Sequence, residues 1–169
     1  MNLHTTGMPA DYIVTGAWGK KAVKEAKRVG EVNVAATTEA DNYSRLPRRE
    51  ELKLTRGAAY VHFTSNETIE GVQFLGEPET AGVPLVSDCS SDFLCRPLPV
   101  DKYGLIYACA QKNAGPSGVT IVIIRDDLLP AGSDDLPGYL NYRSHAGENS
   151  LWNTPPTFAI YVVNLVVQW

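Results

Sequence analysis

"YGLIYACAQKNAGPSGVTIVIIR", residues 103–125, contains two apolar runs that are separated by a short polar turn. Both runs are typical of strands in a sheet whose two faces are covered. Only about eight residues, Gln111 to Gly118, join the runs, whereas a parallel crossover needs about a dozen or more. The stretch therefore predicts one antiparallel strand pair.

The segments before this pair alternate between strand and helix, which favours a mostly parallel sheet with flanking helices. Residues 18–30 have helical periodicity, and Gly30 is suited to end the helix. We interpret residues 37–57 as a surface excursion and residues 67–74 as a short helix or turn. Strands are predicted at residues 11–15, 32–36, 58–65 and 83–88. The predicted fold class is α/β.

The end of the sequence is an apolar helix, predicted from Thr157 to Trp169. Nearly all its sides are apolar, and residues 128–156 before it are mainly polar and irregular. A helix that is apolar on every side needs a cover. We expect a further domain or a partner subunit to supply it.

Composition excludes several classes of function. The 169 residues are enough for one domain, and 19 acidic against 15 basic residues give no basic surface for nucleic acid. No apolar run approaches the roughly 18 residues of a membrane span. The three cysteines form no CxxC pair, and His4, His62 and His145 lack paired spacing. We expect a cytoplasmic protein without a metal site.

Polar residues follow several of the predicted strands, where open α/β sheets bind ligands. Trp18 follows the first strand, Thr68 the third, Asp88 the fourth, and Gln111 and Lys112 the fifth. An indole, a hydroxyl, a carboxylate and an amine suit one planar, charged, aromatic cofactor. That cofactor is pyridoxal 5'-phosphate (PLP).

Each residue has an expected role toward this cofactor. Lys112 would form the Schiff base, because a partly desolvated amine is nucleophilic toward an aldehyde. Asp88 would keep the pyridine nitrogen protonated, which makes the ring an electron sink. Trp18 would stack on the ring, Thr68 would bind a ring or phosphate oxygen, and Gln111 would donate to the phosphate.

Taken singly, these residues also fit ordinary structural roles. A lysine after a strand commonly extends into water, and an aspartate such as Asp88 commonly forms a turn. Trp18 fits helix packing, and Thr68 fits a capping role. Motifs for other chemistries, GxSxG, GxGxxG and the Walker loop, do not occur. The joint placement favours the cofactor.

Four segments of the chain closely resemble the phosphoserine aminotransferases, a family of fold-type I PLP enzymes. The most specific segment is Val83 to Leu129, which contains the AQKN-GP-G pattern. The others are "DYIVTGAWGKKAVKEAK", "YVHFTSNETIEGVQF" and "NSLWNTPPTFAIYVVNLVVQW". The resemblance implies that residues 1–169 are most, but not all, of the large cofactor-binding domain of such an enzyme.

The resemblance also implies an activity, substrates and a composite site. Members of this family transfer the amino group of L-glutamate to 3-phosphohydroxypyruvate, giving O-phospho-L-serine for L-serine biosynthesis. By this likeness Lys112 is the Schiff-base lysine, Asp88 the pyridinium partner and Trp18 the stacking residue, while Thr68 and Gln111 contact the cofactor. Asn153 and Thr154 would reach the cofactor phosphate of the neighbouring subunit, so a homodimer is implied.

The likeness covers only the middle of the family's length. An N-terminal segment with a phosphate-binding loop and a substrate arginine, and the C-terminal small domain, are expected to lie outside residues 1–169. Gly19 stands where the family commonly has serine, and Cys109 stands where it usually has glycine. Two alternatives stay open, namely an inactive form that serves only as a dimerisation partner, and another fold-type I enzyme such as a desulfurase or lyase.

Overall fold

The computed structural model describes residues 1–4, 7–131 and 135–169. Within these ranges a strand and a helix alternate at the start of the chain, as the sequence predicts. The strands are β1 (Ala10–Val14), β2 (Val32–Thr37), β3 (Val61–Thr64), β4 (Asn66–Glu67), β5 (Val72–Gln73), β6 (Leu85–Asp88), β7 (Leu105–Cys109) and β8 (Thr120–Ile124). The α-helices are α1 (Ala17–Ala26), α2 (Tyr142–Gly147) and α3 (Thr157–Gln168).

The described residues form one large sheet with the strand order β2-β1-β3-β6-β7-β8. The first five strands in this order are parallel to one another. In this sheet β8 alone runs antiparallel to its neighbour, β7. The α/β prediction and the antiparallel pair are both confirmed. Because the turn between β7 and β8 is too short for a crossover, it fixes this pairing.

The two faces of the sheet pack differently. One face carries an aliphatic and aromatic core that includes Phe63, Ile13 and Ile106, each at most 1% exposed. Helix α1 packs on the other face, where Val23 and Ala26 meet Tyr12. Since side chains alternate along a strand, Tyr12 and Ile13 lie on opposite faces.

The structure corrects three of the predicted elements. Residues 66–73 form a small antiparallel hairpin, β4 and β5, rather than a helix. Among the described residues, β8 lies at the sheet edge and its Val122 and Ile123 are exposed, so this part of the chain does not cover both faces of the predicted strand. The polar stretch 128–156 contains the short helix α2, and its residues 132–134 lie outside the described residues.

Helix α3 confirms the predicted apolar helix. Only Ala159 is buried, whereas Phe158, Tyr161 and Val167 are exposed. The helix packs close to the turn after β7. A Cβ placed on Gly115 in that turn would lie 2.8 Å from Val163 Cγ2. Among the described residues, no helix has the length and apolar character that crossing a membrane requires.

Candidate cofactor site

The predicted residues lie at the carboxyl ends of the parallel strands, a place that we call the cofactor edge and define by Trp18, Thr68, Asp88 and Lys112. Trp18 is the second residue of α1, which begins three residues after β1 ends. Its side chain keeps 38% of its surface exposed. The chain therefore presents an indole at the sheet edge.

Thr68 lies in the turn between β4 and β5. Strand β3 is followed directly by this hairpin, whose base is held by a bond from the Phe74 amide to the Ser65 carbonyl of 2.8 Å. The Ser65 amide in turn donates to the Asp88 carbonyl at 2.9 Å. These bonds tie the turn that carries Thr68 to the end of β6.

Lys112 lies on a well-fixed turn that follows β7. The amides of Ala114 and Gly115 both donate to the Ala110 carbonyl, at 3.0 and 2.8 Å. The side-chain amide of Asn113 donates to the Phe93 carbonyl at 2.7 Å. Because this turn is anchored on both sides of Lys112, the backbone position of the lysine is defined by the fold.

The lysine meets two of the other predicted residues. Lys112 Nζ donates to Thr68 Oγ1 at 3.2 Å and lies 5.7 Å from the centroid of the Trp18 ring. All three side chains are exposed. The sequence predicts a partly desolvated amine, whereas the structure places Lys112 on an open edge, because the described residues do not cover it.

Asp88 occupies the end of the neighbouring parallel strand. Its carboxylate accepts the Ser90 amide at 3.0 Å, and its position in β6 pairs with Tyr107 in β7. Burial first, and then the nearby charge of Asp88, raise the pKa of Tyr107. Asp88 is thus held by its own turn and flanked by a neutral phenol.

His62 is a core residue behind this carboxylate. Its Nε2 lies 2.9 Å from the Tyr107 hydroxyl, and its ring packs 4.7 Å from that of Tyr12. Burial lowers the pKa of His62 to about 4, because the buried site disfavours the charged ring. At neutral pH the imidazole is therefore uncharged.

Three predicted residues do not join the contacts around Lys112. Gln111 precedes the lysine on the same turn and is exposed to solvent. Asn153 and Thr154 are exposed on the segment before α3, and their side chains make no hydrogen bond to the described residues. Their roles toward a phosphate stay predictions.

Glu67 is a polar residue beside this edge for which the sequence predicts no role. It is fully buried, and its carboxylate accepts the backbone amides of Trp18 and Gly19 at 3.0 and 2.7 Å. A signal for it exists in the sequence. Helix α1 follows Gly16 and has no acidic residue in its first turn, so its first amides need an acceptor from elsewhere in the chain.

The side chains at the cofactor edge fit PLP chemically. An amine, a hydroxyl and an aromatic ring meet within a few ångströms, and a carboxylate ends the adjacent strand. A cavity of about 730 Å³ lies elsewhere, lined by residues that include Tyr12, His62 and Tyr107. Within the described residues the cofactor edge is exposed to solvent, which suits a ligand that a further protein segment or subunit also contacts.

The comparisons with known proteins agree with this geometry. The model of the family "Aminotransferase class-V" matches residues 2–169. The chain therefore belongs to the class-V aminotransferase family.

Within that family, the chain is similar to phosphoserine aminotransferases. The one from Rhodopirellula baltica is 56% identical over 168 residues, which are 99% of this chain and 45% of that protein. The one from Herpetosiphon aurantiacus is 52% identical and is covered to 47%. This chain thus spans about half the length of these relatives.

Solved structures give the same result. The phosphoserine aminotransferase of Bacillus circulans subsp. alkalophilus superposes with a TM-score of 0.94 at 53% identity, over 98% of this chain and 46% of that one. A PLP-bound phosphoserine aminotransferase from Trichomonas vaginalis gives a TM-score of 0.92 at 41% identity, over 99% and 48%. The α/β fold with one antiparallel strand is that of these aminotransferases.

Proposed function

We propose that the chain is the cofactor-binding part of a PLP-dependent phosphoserine aminotransferase. The contact of Lys112 with both Thr68 and Trp18 carries the proposal. It joins an amine to an aromatic platform and a hydroxyl at the edge where α/β sheets bind ligands. The similarity to phosphoserine aminotransferases supports this substrate class.

The reaction moves an amino group from L-glutamate to 3-phosphohydroxypyruvate. The products are 2-oxoglutarate and O-phospho-L-serine, a step toward L-serine. PLP, when bound, supplies an aldehyde carbon for the amino group and an electron-accepting ring. The chain's own residues orient that ring and move protons beside it.

Each residue at the cofactor edge has one task in this proposal. Unprotonated Lys112 Nζ would take the proton from the α-carbon of the amino donor in the first half-reaction, and its protonated form would give a proton to the α-carbon of the product in the second. When PLP is bound, the Asp88 carboxylate would accept a hydrogen bond from the pyridine N–H, and the Trp18 indole would stack on the ring. Thr68 would bind a ring or phosphate oxygen, while Gln111 would donate to the phosphate.

We further propose that the complete site forms in a cytoplasmic homodimer. Asn153 and Thr154 are exposed and available to a second subunit, where they would bind the cofactor phosphate. The neighbouring helix α3 exposes Phe158 and Tyr161, which suits a protein contact. The three cysteines, Cys89, Cys95 and Cys109, are all free thiols, which suits a reducing compartment.

The test combines trapping of the cofactor with turnover. The purified chain is mixed with PLP, reduced with borohydride and mapped by mass spectrometry, and glutamate-dependent formation of phosphoserine is then measured. We expect the adduct on Lys112. Lys24→Arg, which alters an exposed lysine on α1, is the matched control for non-specific labelling.

The outcomes separate the alternatives. An adduct with transamination supports the proposal. An adduct without transfer of the amino group from glutamate to the phosphorylated oxoacid points to another fold-type I reaction or to a substrate site that residues 1–169 do not complete. Labelling that is equal in Lys24→Arg and Lys112→Arg would refute Lys112 as the cofactor lysine, and would leave the role of a dimerisation partner.

A further inference from the structure

The beginning of α1 is held in place by another part of the chain. Its N-cap is Gly16, which has no side chain to accept a hydrogen bond, and its first turn contains no acidic residue. The first amides of a helix have no partner within the helix. At this helix their partners are two carboxylates from the β4–β5 hairpin, about fifty residues away in sequence.

The two carboxylates are not equivalent. Glu70 accepts only the Ala17 amide, at 2.9 Å, and is half-buried. Glu67 accepts the Trp18 amide at 3.0 Å and the Gly19 amide at 2.7 Å, and none of its surface is exposed. Hydrogen bonds to an ionised acceptor are about twice as strong as neutral ones. Glu67 therefore has the larger hold on the residue that carries the indole.

The surrounding backbone is shaped to allow this approach. A Cβ on Gly16 would lie 2.6 Å from Glu67 Cδ and 2.6 Å from Glu70 Oε2. Only glycine leaves room for both carboxylates at the helix start. At Gly19 a Cβ would lie 3.2 Å from Glu67 Oε1, so this position is tight but not closed.

Glu67 also adjoins a second residue of the cofactor edge. It immediately precedes Thr68, whose hydroxyl accepts the hydrogen bond from Lys112. Burial and the neighbouring carboxylates of Glu70 and Asp88 raise the pKa of Glu67, while the amides of Gly19 and Trp18 oppose that change. The helix start thus compensates in part for the cost of burying this carboxylate.

We propose that Glu67 is the positioning residue of the site, which sets the Trp18 indole and the Thr68 hydroxyl at the spacing that one pyridoxal ring needs. It acts through the backbone of α1 and through its own peptide bond to Thr68, and it does not touch the reacting atoms. The inference rests on the proposed function, since it assumes that Trp18 stacks on PLP.

A cofactor-free measurement tests the local hold. Amide hydrogen exchange is compared between the parent chain, Glu67→Gln and the matched control Glu70→Gln. Glu67→Gln should lower protection of the Trp18 and Gly19 amides by about tenfold or more, the effect of losing one charged hydrogen bond. Glu70→Gln should change Ala17 and leave those two amides as they are. Equal protection of Trp18 in all three chains overturns the proposal.

A spectroscopic measurement tests the link to the cofactor. In a Trp152→Phe, Trp169→Phe background Trp18 is the single tryptophan, and its emission reports stacking by PLP. Glu67→Gln should lose most of the PLP-dependent quenching while borohydride still traps PLP on Lys112. Quenching that matches the parent, with the same adduct, refutes the positioning role.

Two further outcomes are also decisive. If the parent chain gives no Lys112 adduct, the proposed function fails, and the exchange data alone then decide whether Glu67 holds Trp18. If circular dichroism shows that Glu67→Gln does not fold, Glu67→Asp replaces it, because it keeps the charge and shortens the reach. Full protection of the Trp18 amide in Glu67→Asp then overturns the proposal.

Discussion

The cofactor edge and the C-terminal part of the chain are built in opposite ways. At the cofactor edge, Thr68 contacts Lys112 and Glu67 holds the α1 start, so polar groups of the chain bind one another there. In residues 135–169, which we call the outer segment, Phe158 is 76% exposed and Asn153 is on the surface. The cofactor edge therefore has internal polar contacts, whereas the outer segment presents exposed side chains.

The difference teaches which properties depend on association. The contacts that hold the turn of Lys112 lie within this chain, since they are backbone bonds of the turn and the bond from Asn113 to the Phe93 carbonyl. The outer segment is attached near its start by the Asn2 carboxamide, which binds the Tyr142 amide and the Leu140 carbonyl at 2.9 Å each. We expect binding of PLP to depend on the cofactor edge. Completion of the phosphate site should depend on association through the outer segment.

The largest effect is expected when the two halves are compared directly for PLP trapping. Lys112→Arg should abolish the borohydride-stable adduct, because a guanidinium does not condense with the aldehyde. Thr154→Ala should leave the adduct yield of the dilute chain unchanged. Mass spectrometry of the reduced chains measures the adduct yield of each variant. An equal fall in both variants would show that PLP trapping does not depend on the cofactor edge alone.

Sequence reasoning anticipates the first region better than the second. The β7–β8 pairing follows from loop length alone, and Lys112, Asp88 and Trp18 lie at strand ends as predicted. Strand ends are predictable because parallel strands bring their carboxyl ends to one edge.

The failures have physical causes as well. Glu67 and the first residues of α1 are distant in sequence. The absence of a local cap at α1 indicates that another residue accepts its first amides, but it does not identify that residue. The β4–β5 hairpin has only two residues in each strand, too few for an alternating pattern. The apolar run at β8 predicts a buried strand, whereas its exposure among the described residues depends on which other elements adjoin it.

The same comparison predicts a large difference in stability between two phenylalanines. Phe63→Ala should lower the free energy of unfolding by about 3–5 kcal/mol, because it opens a cavity in the core, where Phe63 is 1% exposed and packs 5.0 Å from Phe74. Phe158→Ala should change it by less than about 0.5 kcal/mol, since surface changes are small. Urea unfolding of the monomeric chain measures both.

The conservative variant Phe63→Leu is the control for folding, because it retains most of the apolar volume. If Phe158→Ala proved as costly as Phe63→Ala in the monomer, the outer segment would be part of the core after all.

His62 should make the stability of the cofactor region depend on pH. Its pKa is about 4 in the folded chain and near 6.5 when unfolded, so the unfolded chain binds the extra proton between these values. Its contribution is therefore complete above about pH 6.5 and is lost as the pH falls toward 4, by roughly 3 kcal/mol in all. Urea unfolding of the parent and His62→Phe at several pH values isolates this contribution.

His4 and Glu67 also have shifted pKa values, but both are present in the two chains and cancel in the difference. Parallel stability curves for the parent and His62→Phe between pH 4 and 6.5 would show that the buried imidazole does not titrate as the structure indicates.

The smallest effect concerns a cap in the outer segment. Asn141 caps α2 by accepting the Arg143 amide at 2.9 Å, and its side chain is buried. Loss of such a cap typically costs about 1 kcal/mol. In Asn141→Ala we expect faster amide exchange within α2 but little change in the urea midpoint, because a locally attached helix opens before the core does. A midpoint shift as large as the full cost of the cap would instead mean that α2 unfolds together with the core. The two regions would then form one cooperative unit, and the contrast between them would apply to their surfaces and not to their stability.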